Sequence, residues 1–407
     1  MILDEKSFVQ LVAYGNAEQR FFRMHGSLFD VVTLPGTVAT FFRQGAGGFV
    51  LALQKPYFID PRTSVLQSQF REEGRDEPRH VRLAEIHGPT IREIFRHRAL
   101  EESDLSEELL EETLDAVMDF QTHYAEESSQ KLDQYRRLLG QNTDTAPLAP
   151  EWLTPPYFRA YSYDDAFYEA SLTLARAAAN RSLGLPVVPI ICVRKQCLND
   201  ATITAIADDW REGFPARLLW VDKLDGYRDG VPDLVAFLKL VGAFSERGVK
   251  VLNLFGDYFS VMAMKVGLSG VGHGVGYGES RAAFTRGGGM PAERYYVPAL
   301  HRFYPRQDAE ILMMRVGDTS LLCHCSACAS HIEDGVVRTS LMSREDLLSH
   351  FLMARRDEIE HCEATDLGDL LDELERTQAV VSGVIGQTGV DVANHLRSWR
   401  QAYRSLT

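Results

Sequence analysis

The sequence is poor in cysteine and has no long apolar stretch. Six cysteines in 407 residues are too few for the disulfide-dense scaffolds of small secreted domains. No apolar run reaches about 18 residues, the length that reads as a membrane-spanning helix. The opening Met1-Ile2-Leu3-Asp4-Glu5-Lys6 lacks the charged-then-apolar build of a signal peptide. A soluble, cytoplasmic protein with no membrane segment is expected. Positive charge is also short, with 43 Lys and Arg against 57 Asp and Glu and a net charge of −14. That balance argues against nucleic-acid binding through the whole surface and leaves room for a local basic patch. With 45% apolar residues, the chain can bury a large core, either as one α/β domain with appendages or as two domains.

Half of the few cysteines sit together, in Cys323-His324-Cys325-Ser326-Ala327-Cys328. A Cys-x-Cys-x-x-Cys turn can set three sulfurs around one zinc ion, which prefers four tetrahedral thiolate or imidazole ligands. His324 lies inside the knuckle and His331 just beyond it. His350 stands in an apolar stretch with helical spacing that Ser343 can cap. A helix holds a ligand in better order than a loop, so His350 is the expected fourth ligand and His361 the fallback. Four protein ligands close the coordination sphere, which makes the metal structural. Unrelated or oxidised cysteines are the competing reading. Cys192, Cys197 and Cys362 form no second metal spacing.

Along the chain, Leu28–Leu34 is strand-like, Pro35-Gly36 is a turn, and Gly47-Gly48-Phe49-Val50-Leu51-Ala52-Leu53 is a second strand candidate. Tyr57-Phe58-Ile59-Asp60 is followed by Pro61. An apolar strand ending in a carboxylate suits the C-terminal rim of an α/β barrel, although a turn aspartate before proline looks the same. Residues 72–156 read as an acidic helical insertion and linker. Glu101–Glu112 opens a long amphipathic helix with Leu105, Leu109, Leu114, Val117 and Phe120 on one face. Its acidic side is a solvated face or a surface for a protein partner. From Tyr157 strands and helices alternate, which implies parallel pairing. Asp222 and Asp257 join Asp60 at strand ends. A barrel fits this pattern, and a doubly wound sheet is the alternative. The chain divides into residues 1–71 and 157–315 as barrel, with 316–407 as a zinc-binding subdomain and C-terminal helices.

Gly270-Val271-Gly272-His273-Gly274-Val275-Gly276 follows a helix, unlike the dinucleotide loop that opens a βαβ unit. Its glycines suit a close approach to a flat ligand or another strand. Arg281, Arg286, Arg294, Arg302 and Arg306 then interleave with Tyr295, Tyr296, Phe303 and Tyr304, a mixture able to hold phosphates and stack bases and equally that of an ordinary polar loop.

Cys-x-Cys-x-x-Cys followed by a helical histidine, directly after βα units, resembles the tRNA-guanine transglycosylase superfamily, with its queuine, archaeosine and DNA 7-deazaguanine branches. The resemblance implies a modified (β/α)8 TIM barrel with a zinc subdomain whose ligands carry over to Cys323, Cys325, Cys328 and His350. Of the family's strand-end motif, Asp-Ser-Gly-Gly-Phe-Gln, Phe58-Ile59-Asp60-Pro61-Arg62-Thr63 keeps the aspartate alone. The family's second aspartate falls in Gly267–His273, which holds no acid, so Asp257 is the expected replacement. These departures resemble a divergent branch, such as the DNA 7-deazaguanine transglycosylases.

The implied reaction exchanges guanine for a 7-deazaguanine base, preQ0-like, in nucleic acid, DNA in preference to tRNA. One carboxylate traps the anomeric carbon, and the incoming base displaces it. Asp257 is expected as nucleophile and Asp60 as acid/base, with the roles exchangeable. Asp222, Arg194, Gly272, His273, Tyr295, Tyr296, Arg281 and Arg286 form the expected substrate-binding set, the tyrosines stacking on a base drawn from its stack. Zinc is the expected cofactor. The competing classes are a noncatalytic zinc-bearing barrel that binds a protein partner and a base-releasing N-glycoside hydrolase.

Overall fold

Eight short segments, most of them apolar, form one parallel sheet in the computed structural model, which describes residues 1–15, 19–68, 71–72, 75–76, 78–138, 149–276, 278–284, 293–317, 321–381 and 392–406. The strands are β1 (Val9–Ala13), β2 (Val31–Pro35), β3 (Tyr57–Asp60), β4 (Arg159–Ala160), β5 (Ile190–Arg194), β6 (Arg217–Asp222), β7 (Val251–Asn253) and β8 (Leu268–His273). Their order, 3-2-1-8-7-6-5-4, is the cyclic order of a β/α barrel with one seam between β3 and β4. At the seam, Glu151 N–H donates to Tyr57 O at 2.7 Å. Leu153 N–H donates to Pro186 O, and Leu153 O accepts from Val188 N–H, both at 2.9 Å. The architecture is therefore mixed α/β, with a curled, TIM-barrel-like parallel sheet.

Alternation along the strands fills the interior. Val9, Leu11, Val31, Phe58, Ile190, Cys192, Leu218, Trp220, Leu252 and Leu254 make one buried cluster. On β8 the inward positions are Gly270 and Gly272. A Cβ on Gly270 would lie 2.5 Å from Val9 O, and one on Gly272 would lie 2.3 Å from Leu254 O. These glycines serve strand-to-strand approach.

Helices follow the strands: α1 (Gln19–Met24), α2 (Arg43–Leu53), α3 (Glu107–Leu138), α4 (Ala166–Ala179), α5 (Asp200–Asp209), α6 (Val231–Glu246) and α7 (Tyr258–Met262). The segment Gly47–Leu53, expected as a strand, is the body of α2. A seven-residue apolar run carries no period of its own, and packing decides. Gly47 meets α3 so closely that a Cβ would lie 2.1 Å from Ser128 Oγ. The acidic helix α3 packs between α2 and α4. Its Leu109, Leu114, Val117 and Phe120 are buried, as its apolar spacing predicts, and Leu105 is half-buried.

After β8 come the hairpin β9 (Arg294–Val297) and β10 (Arg302–Pro305), then α8 (Arg306–Val316), the cysteine knuckle, α9 (Arg344–Ala364), α10 (Leu367–Val380) and α11 (Asn394–Arg404). The last helix is fastened to the barrel by Trp399 Nε1–H donating to Gly226 O at 2.6 Å and Tyr403 OH donating to Phe259 O at 2.7 Å. Among the described residues, no helix is long and apolar enough to cross a membrane.

A candidate metal centre and the mouth of the barrel

Local backbone chemistry builds the metal cage. Cys325 starts the one-turn helix Ser326–Ala329, so Cys328 N–H folds back to Cys325 O at 2.9 Å and brings the two thiols to one side. Cys325 N–H points at Cys323 Sγ at 3.5 Å. Opposite the knuckle, α9 begins with a capping box in which Ser343 and Asp346 satisfy each other's backbone N–H groups. Two turns later His350 is fully buried, its Nδ1 3.5 Å from Cys325 Sγ and 3.3 Å from Cys328 Sγ. The four ligand atoms of Cys323, Cys325, Cys328 and His350 lie within 4.8 Å of one another.

Zinc bonds of about 2.3 Å to sulfur and about 2.0 Å to nitrogen put tetrahedral neighbours roughly 3.6 Å apart. The cage fits a zinc-sized ion. His350 Nε2–H donates to Tyr296 O at 2.6 Å, which fixes the tautomer with the Nδ1 lone pair facing the thiols. Tyr295 stacks on the His350 ring with centroids 4.3 Å apart, and its OH lies 3.4 Å from Cys328 Sγ. The fallback His361 is paired with Glu373 at 2.7 Å instead.

This geometry corrects the expectation that Tyr295 and Tyr296 stack on a base. Both are fully buried, Tyr295 against the cage and Tyr296 with its OH donating to Glu358 Oε1 at 2.7 Å. Successive residues on β9 face opposite ways, so one strand serves the cage on one side and a buried ion network on the other. In that network Arg355 pairs with Glu279 and, at 3.4 Å, with Glu358. His301 Nδ1–H donates to Glu358 Oε1 at 2.6 Å, and the His301 ring stacks on Tyr258 at 3.5 Å. Burial pushes the Glu279 carboxyl up against the pull of Arg355.

Asp257 belongs with this network and not with Asp60. It caps α7, accepting from Ser260 N–H at 3.3 Å, and is packed beneath Gly226. Burial first, then the nearby Asp225 charge, push it up to about 7. His273 also departs from expectation. Gly272 pairs in register with inward-facing Leu11, so His273 points outward, edge-on to Phe351 of α9 with centroids 5.1 Å apart. Gln10 Nε2–H donates to its Nε2 at 3.0 Å, and burial drops it to about 3, a neutral ring.

The inward strand ends carry Asp60, Arg194 and Asp222. Asp60 is fully buried, accepting from Tyr157 OH at 2.7 Å and from Arg62 N–H at 3.0 Å. Arg62 has a left-handed backbone, φ 55°, which turns its Nε back to 2.5 Å from Asp60 Oδ2. Asp222 pairs with Arg159 at 2.9 Å and accepts from Ala283 N–H at 2.7 Å. Arg194 is beside Asp222 in register, near the Tyr161 ring. The segment after β8 lies across this mouth, because Trp220 Nε1–H donates to Arg281 O at 3.0 Å and Phe284 covers the Arg159 guanidinium at 3.8 Å. Arg286 lies outside the described residues. Beside the mouth, at the C-terminal ends of β1, β2, β7 and β8, opens a cavity of about 220 Å³ with Arg281 in its wall. Sequence reading missed Arg62, Arg159 and Tyr157, the residues that hold the acids. Their only signal is proximity to strand ends.

No protein-family model matches the chain, and no curated protein is similar to it in sequence. Among solved structures it is similar to the intracellular xylanase TsXylA from Thermoanaerobacterium saccharolyticum, at 7% identity and a TM-score of 0.36, covering 70% of this chain and 91% of that one. A mutant of the same xylanase bound to xylotetraose matches at 8% identity and a TM-score of 0.34, over 69% and 88%. Overlaps this loose carry no inference about activity or substrate.

Proposed function

We propose that the chain is a guanine transglycosylase-like enzyme that exchanges guanine for a 7-deazaguanine base in nucleic acid, DNA in preference to tRNA. The observation that carries this reading is the Cys323, Cys325, Cys328 and His350 cage joined to a curled parallel sheet with an aspartate at the end of β3. Zinc there holds the C-terminal helices in place and takes no part in the chemistry. Asp60 is the carboxylate best placed to react. It faces the barrel interior beside Arg281, whereas Asp257 is committed to its helix. An Asp60 oxygen attacks the anomeric carbon as the bond to guanine N9 breaks, and the departing base takes up a proton from a water molecule admitted with the substrate. The ring nitrogen of the incoming base then attacks that carbon, its proton passing to the hydroxide so formed, and the bond to Asp60 breaks to restore the carboxylate. Arg62 and the segment at 281–284 must lift before a base reaches Asp60.

One observation favours the noncatalytic reading. Asp60 and Asp222 are each held by an arginine and closed off from solvent, as expected of a partner-binding subunit that keeps the scaffold without the reaction. The test is label release from guanine-labelled DNA and, separately, tRNA, with and without preQ0, beside an Asp60→Asn variant checked for zinc content. Release that needs preQ0 and vanishes in the variant supports exchange and names the polymer. Release without preQ0 supports the hydrolase. No release from either polymer by zinc-loaded protein sinks the enzyme reading.

A further inference from the structure

The mouth of the barrel sets two arginines against one ring, with the Asp60 carboxylate near both. Arg62 and Arg281 both lie over Phe255, their guanidinium carbons 5.3 and 5.7 Å from its centroid. Arg62 is 2% exposed, and although its Nε faces Asp60, its Nη2 has no hydrogen-bond partner. The Arg281 guanidinium makes no hydrogen bond and no ion pair among the described residues; its backbone oxygen is the atom that Trp220 holds. A buried donor fork without an acceptor is costly. Arg281, half-buried, stands beside it, and the positive charge of Arg62, with burial second, pulls Arg281 down to about 9. The arrangement is expensive for the protein alone and becomes favourable with an anion.

The adjoining space suits one. Arg281 stands in the wall of the 220 Å³ cavity, whose other walls include the apolar Tyr14, Phe255 and Leu348. Gly274, Val275, Gly276 and Gly278 form one side, with Gly276 and Gly278 at φ 92° and 115°, a conformation open to glycine. Glu293, the acid in the lining, is paired with Arg306. The volume is below the range of about 300–1,000 Å³ that encloses a whole drug-sized ligand. It fits a single anionic head with the rest of the molecule outside.

We infer that this cavity is a phosphate-binding site in which Arg281, backed by Arg62, grips one phosphate group of a nucleotide or of a nucleic-acid strand. The loops after the seventh and eighth strands are where barrels of this kind often hold phosphate. The inference does not depend on base exchange, since a noncatalytic barrel could hold a strand in the same way.

The test is calorimetric titration of full-length, zinc-loaded protein with inorganic phosphate, guanosine 5′-monophosphate, guanosine and a short single-stranded DNA, using wild type, Arg281→Gln, Arg281→Lys and the exposed-site control Arg315→Gln. Arg281→Gln is expected to weaken phosphate-bearing ligands by about ten- to a hundredfold, the worth of a charged hydrogen-bonding group. Arg281→Lys should retain part of the binding, and the control all of it. Guanosine should bind no better to wild type than to the variants. Arg281-dependent binding of phosphate or the mononucleotide identifies a free phosphate ligand; the same dependence with the oligonucleotide alone identifies a strand. No Arg281-dependent binding by any of them, with thermal melting showing the variants folded, overturns the inference. Binding that persists in protein inactive for base exchange leaves this site standing and removes the enzyme reading alone.

Discussion

Replacing Cys325 by serine and His350 by alanine separates what the metal contributes from what packing contributes. Cys325 is partly exposed and its thiol serves chiefly as a ligand, so Cys325→Ser removes a metal bond with little loss of buried contact. Metal bound a hundredfold above its dissociation constant stabilises the fold by about 2.7 kcal/mol, and a thousandfold above it by about 4.1 kcal/mol. Cys325→Ser should lose an amount of that order at equal free zinc. His350→Ala loses the same metal contribution and more. It vacates a fully buried ring stacked on Tyr295 and orphans the buried Tyr296 carbonyl. Large-to-small changes at buried aromatic positions cost about 3–5 kcal/mol, and the orphaned carbonyl about 1–3 kcal/mol within that total. Urea unfolding with and without EDTA, alongside zinc content, reads both quantities. EDTA should lower wild type to the level of Cys325→Ser and leave that variant unmoved, while His350→Ala lies about 3 kcal/mol lower still with or without chelator. A wild-type curve indifferent to EDTA after the metal is stripped, or a His350→Ala variant no weaker than Cys325→Ser, would refute the account of the cage.

Asp257 makes stability depend on pH in a definite direction. Its folded-state carboxyl sits at about 7, while the unfolded one titrates near 3.9, so the folded chain binds the proton more tightly. That contribution is complete below pH 4 and is lost as pH rises through 7, at up to about 1.4 kcal/mol per unit. Asp257→Asn should flatten the slope of unfolding free energy between pH 4.5 and 7; an unchanged slope would show that Asp257 is ionised in the fold. Arg355→Met leaves Glu279 and Glu358 buried without their cation and should cost about 3–5 kcal/mol in denaturant unfolding. A smaller loss would mean that the network holds without the arginine's charge. Gly272→Ala puts a methyl group 2.3 Å from a backbone oxygen of β7's continuation, so about 1–3 kcal/mol should be lost in a thermal melt.

The cage was legible because its ligands announce themselves by spacing, and Ser343 capping α9 places His350 at a fixed turn of a helix. Strands β3 and β6 were legible as apolar runs ending in aspartate. Strand β1 was not, because Val9–Ala13 is five residues with a glutamine at its second position, too short to show a period. The grouping of the acids was hidden for a different reason. Whether a strand-end acid faces into a barrel depends on register, and Asp257 lies four residues past the end of β7, where it caps a helix. The tyrosines between arginines looked like a stacking surface, since nothing in one dimension reveals that β9 runs between the cage and an ion network.

The position of β1 sets a timetable for the newborn chain. Val9 is hydrogen-bonded into a sheet whose other flank, at Gly270, is translated far later, a wait on the order of ten to fifty seconds at about 5–20 residues per second. During that interval the apolar first strands have one edge unpaired, which is the condition in which strands join the wrong neighbour. Chaperone dependence during synthesis, and failure to fold of N-terminal fragments that stop before β8, are the expected consequences of pairing the first strand with the last.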